Sequence, residues 1–186
     1  MLTMNGLPTQ TKAGTNKSSE MRNYIFTLVT FIGFLSVPCL TNAQAKEASV
    51  KISGEVTAPI ELKLADMQQF IQTEVTRKDC DGKDHKYTGV ILTDILQKAG
   101  AIVGKDLTKE NLVKYVLVEA SDGYQVVFSI AELDKSFTDR LVILATKIDN
   151  KPLDPRDGPF RIIVQDEKKP ARCIKQVTSI KVQFAK

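Results

Sequence analysis

Apolar residues alternate with polar ones along most of the chain after residue 49, in short runs separated by Gly, Pro, Asn and Asp. This two-residue period is typical of half-buried strands. The Asp81-Gly82 pair predicts a two-residue hairpin turn, and a second hairpin is predicted at residues 121–123. The predicted strands lie at residues 50–56, 73–79, 83–88, 115–120, 124–128, 141–146, 158–164 and 170–182.

Helical periodicity is confined to short segments. The clearest pattern covers residues 89–100, where the apolar positions share one face and Gly100 acts as the C-terminal stop. Shorter helical segments are predicted at residues 64–71 and 130–133. A few short helices scattered among many strands predict an α+β domain built on a mixed multi-stranded sheet.

The N-terminal part of the chain has the pattern of an export signal. Residues 21–45 begin with a basic start, continue through an apolar core at 24–37 and end in Ala43-Gln44-Ala45, a cleavage site for signal peptidase. The apolar core is shorter than the roughly 20 residues of a membrane-spanning helix. We therefore expect a leader at residues 1–45, of which 1–20 lie upstream of the true start at Met21.

After cleavage, residues 46–186 form one domain in the periplasm that does not span the membrane. The leader holds three of the 26 basic and one of the 22 acidic residues, so the mature domain carries a net charge of +2. A nearly neutral domain without a basic run is not expected to bind nucleic acid. Two cysteines remain, Cys80 and Cys173, and disulfides persist outside the cytoplasm. A bridge between them is therefore one alternative.

The closing part of the chain carries the most specific motifs. Gly158-Pro159-Phe160-Arg161 opens an apolar segment, and Ala171-Arg172-Cys173-Ile174-Lys175 opens the last one. This pattern resembles the closing segment of the sulfite-oxidase-type molybdopterin-binding domain. The resemblance extends over residues 50–184 and includes the segments Tyr87-Thr88-Gly89-Val90 and 120–124. It implies a small, exported, stand-alone member of that family with the family's α+β fold.

The resemblance also implies a cofactor site. Cys80 stands where catalytic members have a cysteine that binds molybdenum, and its C-x-G context is retained, although Lys83 replaces the family's Asn. Arg161, Arg172 and Lys175 occupy positions that the family uses for the anionic pterin. Cys80 and Cys173 are expected on the same side of the fold, within one cleft. Alternatively, Cys80 is only a residue at the end of a strand.

Two functions remain open at this point. The resemblance implies two-electron oxygen-atom transfer on a small oxyanion or sulfoxide, with molybdopterin as cofactor and an exported cytochrome as electron partner. The alternative is a cofactor-free periplasmic binding module that keeps the fold and binds a small anion or a protein. The sequence identifies no catalytic acid or base. His85 is expected to be exposed, and one His with one Cys does not make a zinc site.

Overall fold

The structure is a computed structural model that describes residues 47–185. The predicted leader and its cleavage site lie outside the described residues. Strands dominate the described part, together with one α-helix and several 3₁₀ turns, and the strands form two five-stranded sheets. The α+β fold class predicted from the sequence is therefore confirmed. Among the residues described, no helix has the length and apolar character needed to cross a membrane.

The first sheet consists of five strands: β1 (Ser49–Gly54), β2 (Ile60–Lys63), β5 (Lys114–Ala120), β6 (Gln125–Ser129) and β10 (Val177–Phe184). Their order across the sheet is β2-β1-β10-β5-β6. The last strand, β10, lies at the centre, where it pairs in parallel with β1 and antiparallel with β5. The other two pairs, β1 with β2 and β5 with β6, are antiparallel hairpins.

The second sheet consists of five strands: β3 (Thr73–Lys78), β4 (Asp84–Ile91), β7 (Val142–Ile148), β8 (Lys151–Pro152) and β9 (Arg161–Val164). Their order is β3-β4-β7-β8, and β9 also pairs with β7. All of its pairs are antiparallel. The only α-helix of the described residues, α1 (Leu92–Lys98), directly follows β4 and buries Leu92, Ile95 and Leu96.

Burial follows the alternation seen in the sequence. Every second residue of β5 is buried, as expected for a strand with one face on the core. All four residues of β9 are buried, including Arg161. An arginine on such a strand needs partners inside the protein, because an unpaired buried charge is costly. This strand therefore brings a cation into the core next to the candidate site.

The helix predicted at residues 89–100 is shorter in the structure. Residues 89–91 are the end of β4, and the helix itself begins at Leu92 and ends at Lys98. Gly89 lies so close to β7 that a Cβ atom would stand 2.2 Å from the carbonyl oxygen of Leu144. The pairing of β4 with β7 shifts register at this point. The antiparallel pairing of residues 89–91 with β7, which the local apolar pattern does not reveal, holds the segment in the sheet.

Three further predictions from the sequence were wrong in detail. Residues 64–71 do not form a helix: a 3₁₀ turn covers Asp66–Gln69, and the preceding Ile60–Lys63 is a strand that was not predicted. The two-residue hairpin at Asp81-Gly82 is instead a five-residue loop, 79–83, between β3 and β4. The last strand begins only at Val177, because a 3₁₀ turn at Pro170–Arg172 precedes it.

Candidate functional site

A pocket of about 280 Å³ brings together the two cysteines and two of the predicted cofactor cations. We call it the thiol pocket; its walls are formed by the 79–83 loop, the segment that precedes β10, and β9. A larger groove of about 570 Å³ runs along β1 and β10 but contains none of the predicted site residues. The thiol pocket is lined in particular by Cys80, Cys173, Arg161, Lys175, His85, Asp79, Asp81 and Asp157.

Cys80 is exposed and lies in the loop that joins β3 and β4. Hydrogen bonds within the loop fix its shape: the Asp79 amide donates to the Lys83 carbonyl at 3.0 Å, and the Gly82 amide donates to the Asp79 carbonyl at 3.0 Å. Gly82 has a φ of 80°, a conformation that glycine adopts without steric cost. The retained C-x-G motif thus holds an accessible thiol at the edge of the pocket.

Cys173 lines the same pocket from the opposite wall and is 3% exposed. Burial raises the pKa of its thiol, and its Sγ accepts a hydrogen bond from the Val164 amide at 3.5 Å. Both cysteines are free, so the structure does not contain the disulfide considered from the sequence. The pocket therefore combines one accessible thiol with one buried, neutral thiol.

Arg161 is held inside the protein by three polar groups. Its Nη1 donates to the Tyr87 hydroxyl at 2.9 Å and to Asp157 Oδ2 at 2.8 Å, and Asp79 Oδ2 lies 3.6 Å away. The Tyr87 hydroxyl in turn donates to Asp79. Burial, more than the hydrogen bond to Asp79, raises the pKa of Tyr87, so its phenol stays neutral and can donate. The guanidinium is therefore fixed in position.

Lys175 forms the second basic group of the pocket. Its Nζ lies 2.7 Å from Asp157 Oδ1, and its side chain is about half exposed. Asp157 therefore pairs with both cations of the pocket, one at each carboxylate oxygen. The pocket contains further carboxylates at Asp79 and Asp81. Its cations are consequently neutralised by the protein's own acidic groups.

Arg172 does not line the thiol pocket, although the resemblance placed it with the other two cations. It lies in the 3₁₀ turn before β10, from which its guanidinium forms a two-point contact with Glu167 and a further contact of 3.1 Å with Glu132. The hydrogen bond to Glu167 is the main cause of the raised pKa of Arg172. Its guanidinium also lies over the Phe128 ring, at 4.9 Å from the ring centre. These contacts point the side chain away from the pocket.

His85 is less exposed than predicted and ties the Cys80 loop to the rest of the sheet. Its Nδ1 lies 2.7 Å from Asp149 Oδ2, in the turn between β7 and β8, and its Nε2 lies 3.0 Å from Asp81 Oδ2. Hydrogen bonding, first to Asp149 and then to Asp81, raises the pKa of His85. An imidazolium can donate to both carboxylates at once, whereas neutral imidazole can donate to only one.

Sequence reasoning did not find the acidic partners of this site. Asp157 falls between the strands predicted at 141–146 and 158–164, Asp79 ends a predicted strand and Asp81 lies in a predicted turn, and none of the three was assigned to the site. The four-residue spacing between Asp157 and Arg161 offers a weak signal in hindsight. The contact between Asp79 and Tyr87 depends on the pairing of β3 with β4, which local pattern alone does not specify.

Comparison with known proteins identifies the fold and the family. The sequence profile of the oxidoreductase molybdopterin-binding domain matches residues 35–186. The chain belongs to this family. Among solved structures it is similar to the sulfane dehydrogenase SoxCD from Paracoccus pantotrophus, with a TM-score of 0.58 and 18% sequence identity, over 73% of this chain and 38% of that one. The chain thus spans well under half the length of that protein. No curated protein matched the chain.

The family implies a molybdopterin cofactor, and the thiol pocket offers groups suited to one. An exposed thiol is a soft ligand for molybdenum, and a guanidinium and an ammonium group suit an anionic pterin. Cys80, Arg161 and Lys175 line one pocket, and Arg161 Nε is buried without a hydrogen-bond partner among the described residues. In the described part of the chain, no three His, Cys, Asp or Glu side chains cluster as a metal site.

Proposed function

We propose that this domain is an exported molybdopterin-dependent oxidoreductase that transfers an oxygen atom to or from a small oxyanion or sulfoxide. The observation that supports it best is the convergence of Cys80, Arg161 and Lys175 on one pocket, from three separate parts of the chain. Molybdopterin, when bound, supplies the two-electron chemistry, and the protein supplies binding and orientation.

The roles of this chain's residues in the proposal follow from their surroundings. Cys80 is the proposed metal ligand, because it is the accessible thiol of the pair and thiolates bind soft metal centres. Arg161 offers a fixed guanidinium, since its position is set by Tyr87 and Asp157. Lys175 offers a half-exposed cation that lines the pocket. Cys173 is neutral and buried, and is not a ligand in this proposal.

Molybdenum content tests the proposal. The wild-type chain should be purified from a host that makes the cofactor and compared with Cys80→Ser and Cys173→Ser, which remove one thiol each. We expect molybdenum in the wild type and in Cys173→Ser, and its loss in Cys80→Ser. A wild-type protein without molybdenum would contradict the proposal and would favour the cofactor-free binding module. Equal loss in both variants would contradict the assignment of Cys80 as the ligand.

Export is a second part of the proposal. The apolar segment followed by Ala43-Gln44-Ala45 supports cleavage before Lys46 and a periplasmic location, where an exported cytochrome would accept or donate the electrons. The intact mass of the protein recovered from the periplasm should correspond to residues 46–186. A mass that includes the leader would contradict cleavage at this site.

A further inference from the structure

One carboxylate, that of Asp157, forms ion pairs with both cations of the thiol pocket. Asp157 Oδ2 accepts from Arg161 Nη1 at 2.8 Å, and Asp157 Oδ1 lies 2.7 Å from Lys175 Nζ. The Asp157 side chain is 23% exposed, so it sits partly inside the pocket rather than in free solvent. Two short contacts from different cations are the arrangement that an oxyanion ligand would itself adopt in this place.

The backbone around Asp157 is anchored independently of its carboxylate. The Asp157 amide donates to the Asp154 carbonyl at 2.8 Å, and the Asp157 carbonyl accepts from the Gln176 amide at 3.0 Å. The first bond closes a turn within the 153–160 loop, and the second connects this loop to the segment that carries Lys175. The carboxylate can therefore leave the cations by side-chain rotation while the loop stays in place.

The other contacts of the two cations show which one can be released. Arg161 also meets Tyr87 and Asp79, so it keeps partners when Asp157 leaves. Lys175 has its only ion pair with Asp157 within residues 47–185, and its side chain is about half exposed. Displacement of the Asp157 carboxylate would thus release the Lys175 ammonium group and one contact of the Arg161 guanidinium at the same time. These are the two groups that a phosphate or similar oxyanion needs.

We propose that Asp157 is a built-in competitor for anions, which sets the affinity of the thiol pocket for an oxyanion group by occupying Arg161 and Lys175. The idea rests on the proposed function only in placing an anionic ligand in this pocket. It makes Asp157 a specificity-determining residue. A ligand group with two or more negative charges displaces the carboxylate, whereas a weakly charged one does not.

Inorganic phosphate is the probe for the test, with binding followed as the concentration-dependent shift of the unfolding midpoint and by calorimetry. Asp157→Asn keeps the shape of the side chain and removes its charge. Asp154→Asn is the matched control, because it removes the same charge from the same loop at an exposed residue whose ion pair, within residues 47–185, is with Arg156 at 3.5 Å. We expect Asp157→Asn to bind phosphate about tenfold more tightly than the control, which is the size of one charge-assisted contact.

Addition of Lys175→Gln to Asp157→Asn should abolish the gain. Equal phosphate affinity in Asp157→Asn and Asp154→Asn would overturn the proposal, and so would a gain that survives Lys175→Gln. Should Asp157→Asn fail to fold, Asp157→Ser gives the same comparison, with a smaller side chain that leaves the cations to solvent.

The outcome is separable from that of the proposed function. A wild-type protein without molybdenum, together with tighter phosphate binding by Asp157→Asn, would contradict the proposed cofactor and support the proposal that Asp157 competes with anions. Molybdenum in the wild type, with no increase of phosphate affinity in Asp157→Asn, would support the cofactor and contradict the competition by Asp157.

Discussion

Replacement of Tyr87 by Phe tests whether the buried polar cluster under the thiol pocket stabilises the fold. Tyr87 is 0% exposed, and its hydroxyl lies between the Asp79 carboxylate and the Arg161 guanidinium. Phenylalanine fills the same space, so the change removes two hydrogen bonds without creating a cavity. The buried Arg161 guanidinium and the partly buried Asp79 carboxylate then lose the neutral hydroxyl that bonds both.

The magnitude follows from the charges involved. A hydrogen bond to a charged group contributes about 1.5–3 kcal/mol. The loss of two is partly offset, because Arg161 keeps Asp157 and lies 3.6 Å from Asp79, close enough for a direct contact. We therefore expect Tyr87→Phe to lower the free energy of unfolding by about 3 kcal/mol. Tyr115→Phe is the matched control: among the described residues its hydroxyl bonds the neutral Gln183 alone, so its loss should cost about 1 kcal/mol.

Equilibrium unfolding in urea at pH 7 measures both variants. The midpoint should fall further for Tyr87→Phe than for Tyr115→Phe, with the same dependence on urea concentration in each. A loss in Tyr87→Phe no larger than in the control would refute the reasoning. Alkaline titration adds a second readout. Burial raises the pKa of Tyr87, so the wild type should contain one tyrosine that ionises at higher pH than the others, and the variant should lack it.

Three other measurements test separate parts of the structure. Thiol titration of unfolded, unreduced protein should find Cys80 and Cys173 both free; none free would show a bridge and exclude Cys80 as a metal ligand. The stabilisation lost in His85→Asn should be largest below the usual histidine pKa of 6.5 and should vanish as pH rises through the raised pKa of folded His85; a pH-independent loss would contradict the imidazolium contacts. Gly89→Ala should destabilise by about 3 kcal/mol in urea, since its Cβ would stand 2.2 Å from the Leu144 oxygen, and a neutral effect would contradict that approach.

The strands could be predicted because most of them have one face on the core. In β5 the alternation of apolar and polar residues matches the alternation of buried and exposed ones. The helix boundary could not be predicted in the same way. Residues 89–91 are continuously apolar, and an apolar run of that length fits a strand as well as a helix. The choice is made by the pairing of these residues with β7, a contact between segments far apart in the chain.

The candidate site, like the fold, could be predicted only in part from the sequence. The family resemblance predicted that Cys80, Arg161 and Lys175 belong to one site, and all three line one pocket in the structure. Arg172 was predicted with them because the family uses its position for the pterin. In the structure it lies in a 3₁₀ turn and contacts Glu132 and Glu167. Such partners depend on the tertiary fold, and a family motif fixes a residue's position without fixing its neighbours.

The charge balance of the pocket bears on how the domain can exist without a ligand. Arg161 is 4% exposed, and a buried cation without a partner would oppose folding. Arg161 finds its partners within the chain, in Asp157, Asp79 and Tyr87. The fold therefore does not need an anionic cofactor to neutralise the site. The same compensation opposes ligand binding, because an incoming anion must replace Asp157 rather than fill an open site. Stability without a ligand and affinity for one are therefore opposed at this carboxylate, and a variant that binds anions more tightly should also be less stable in their absence.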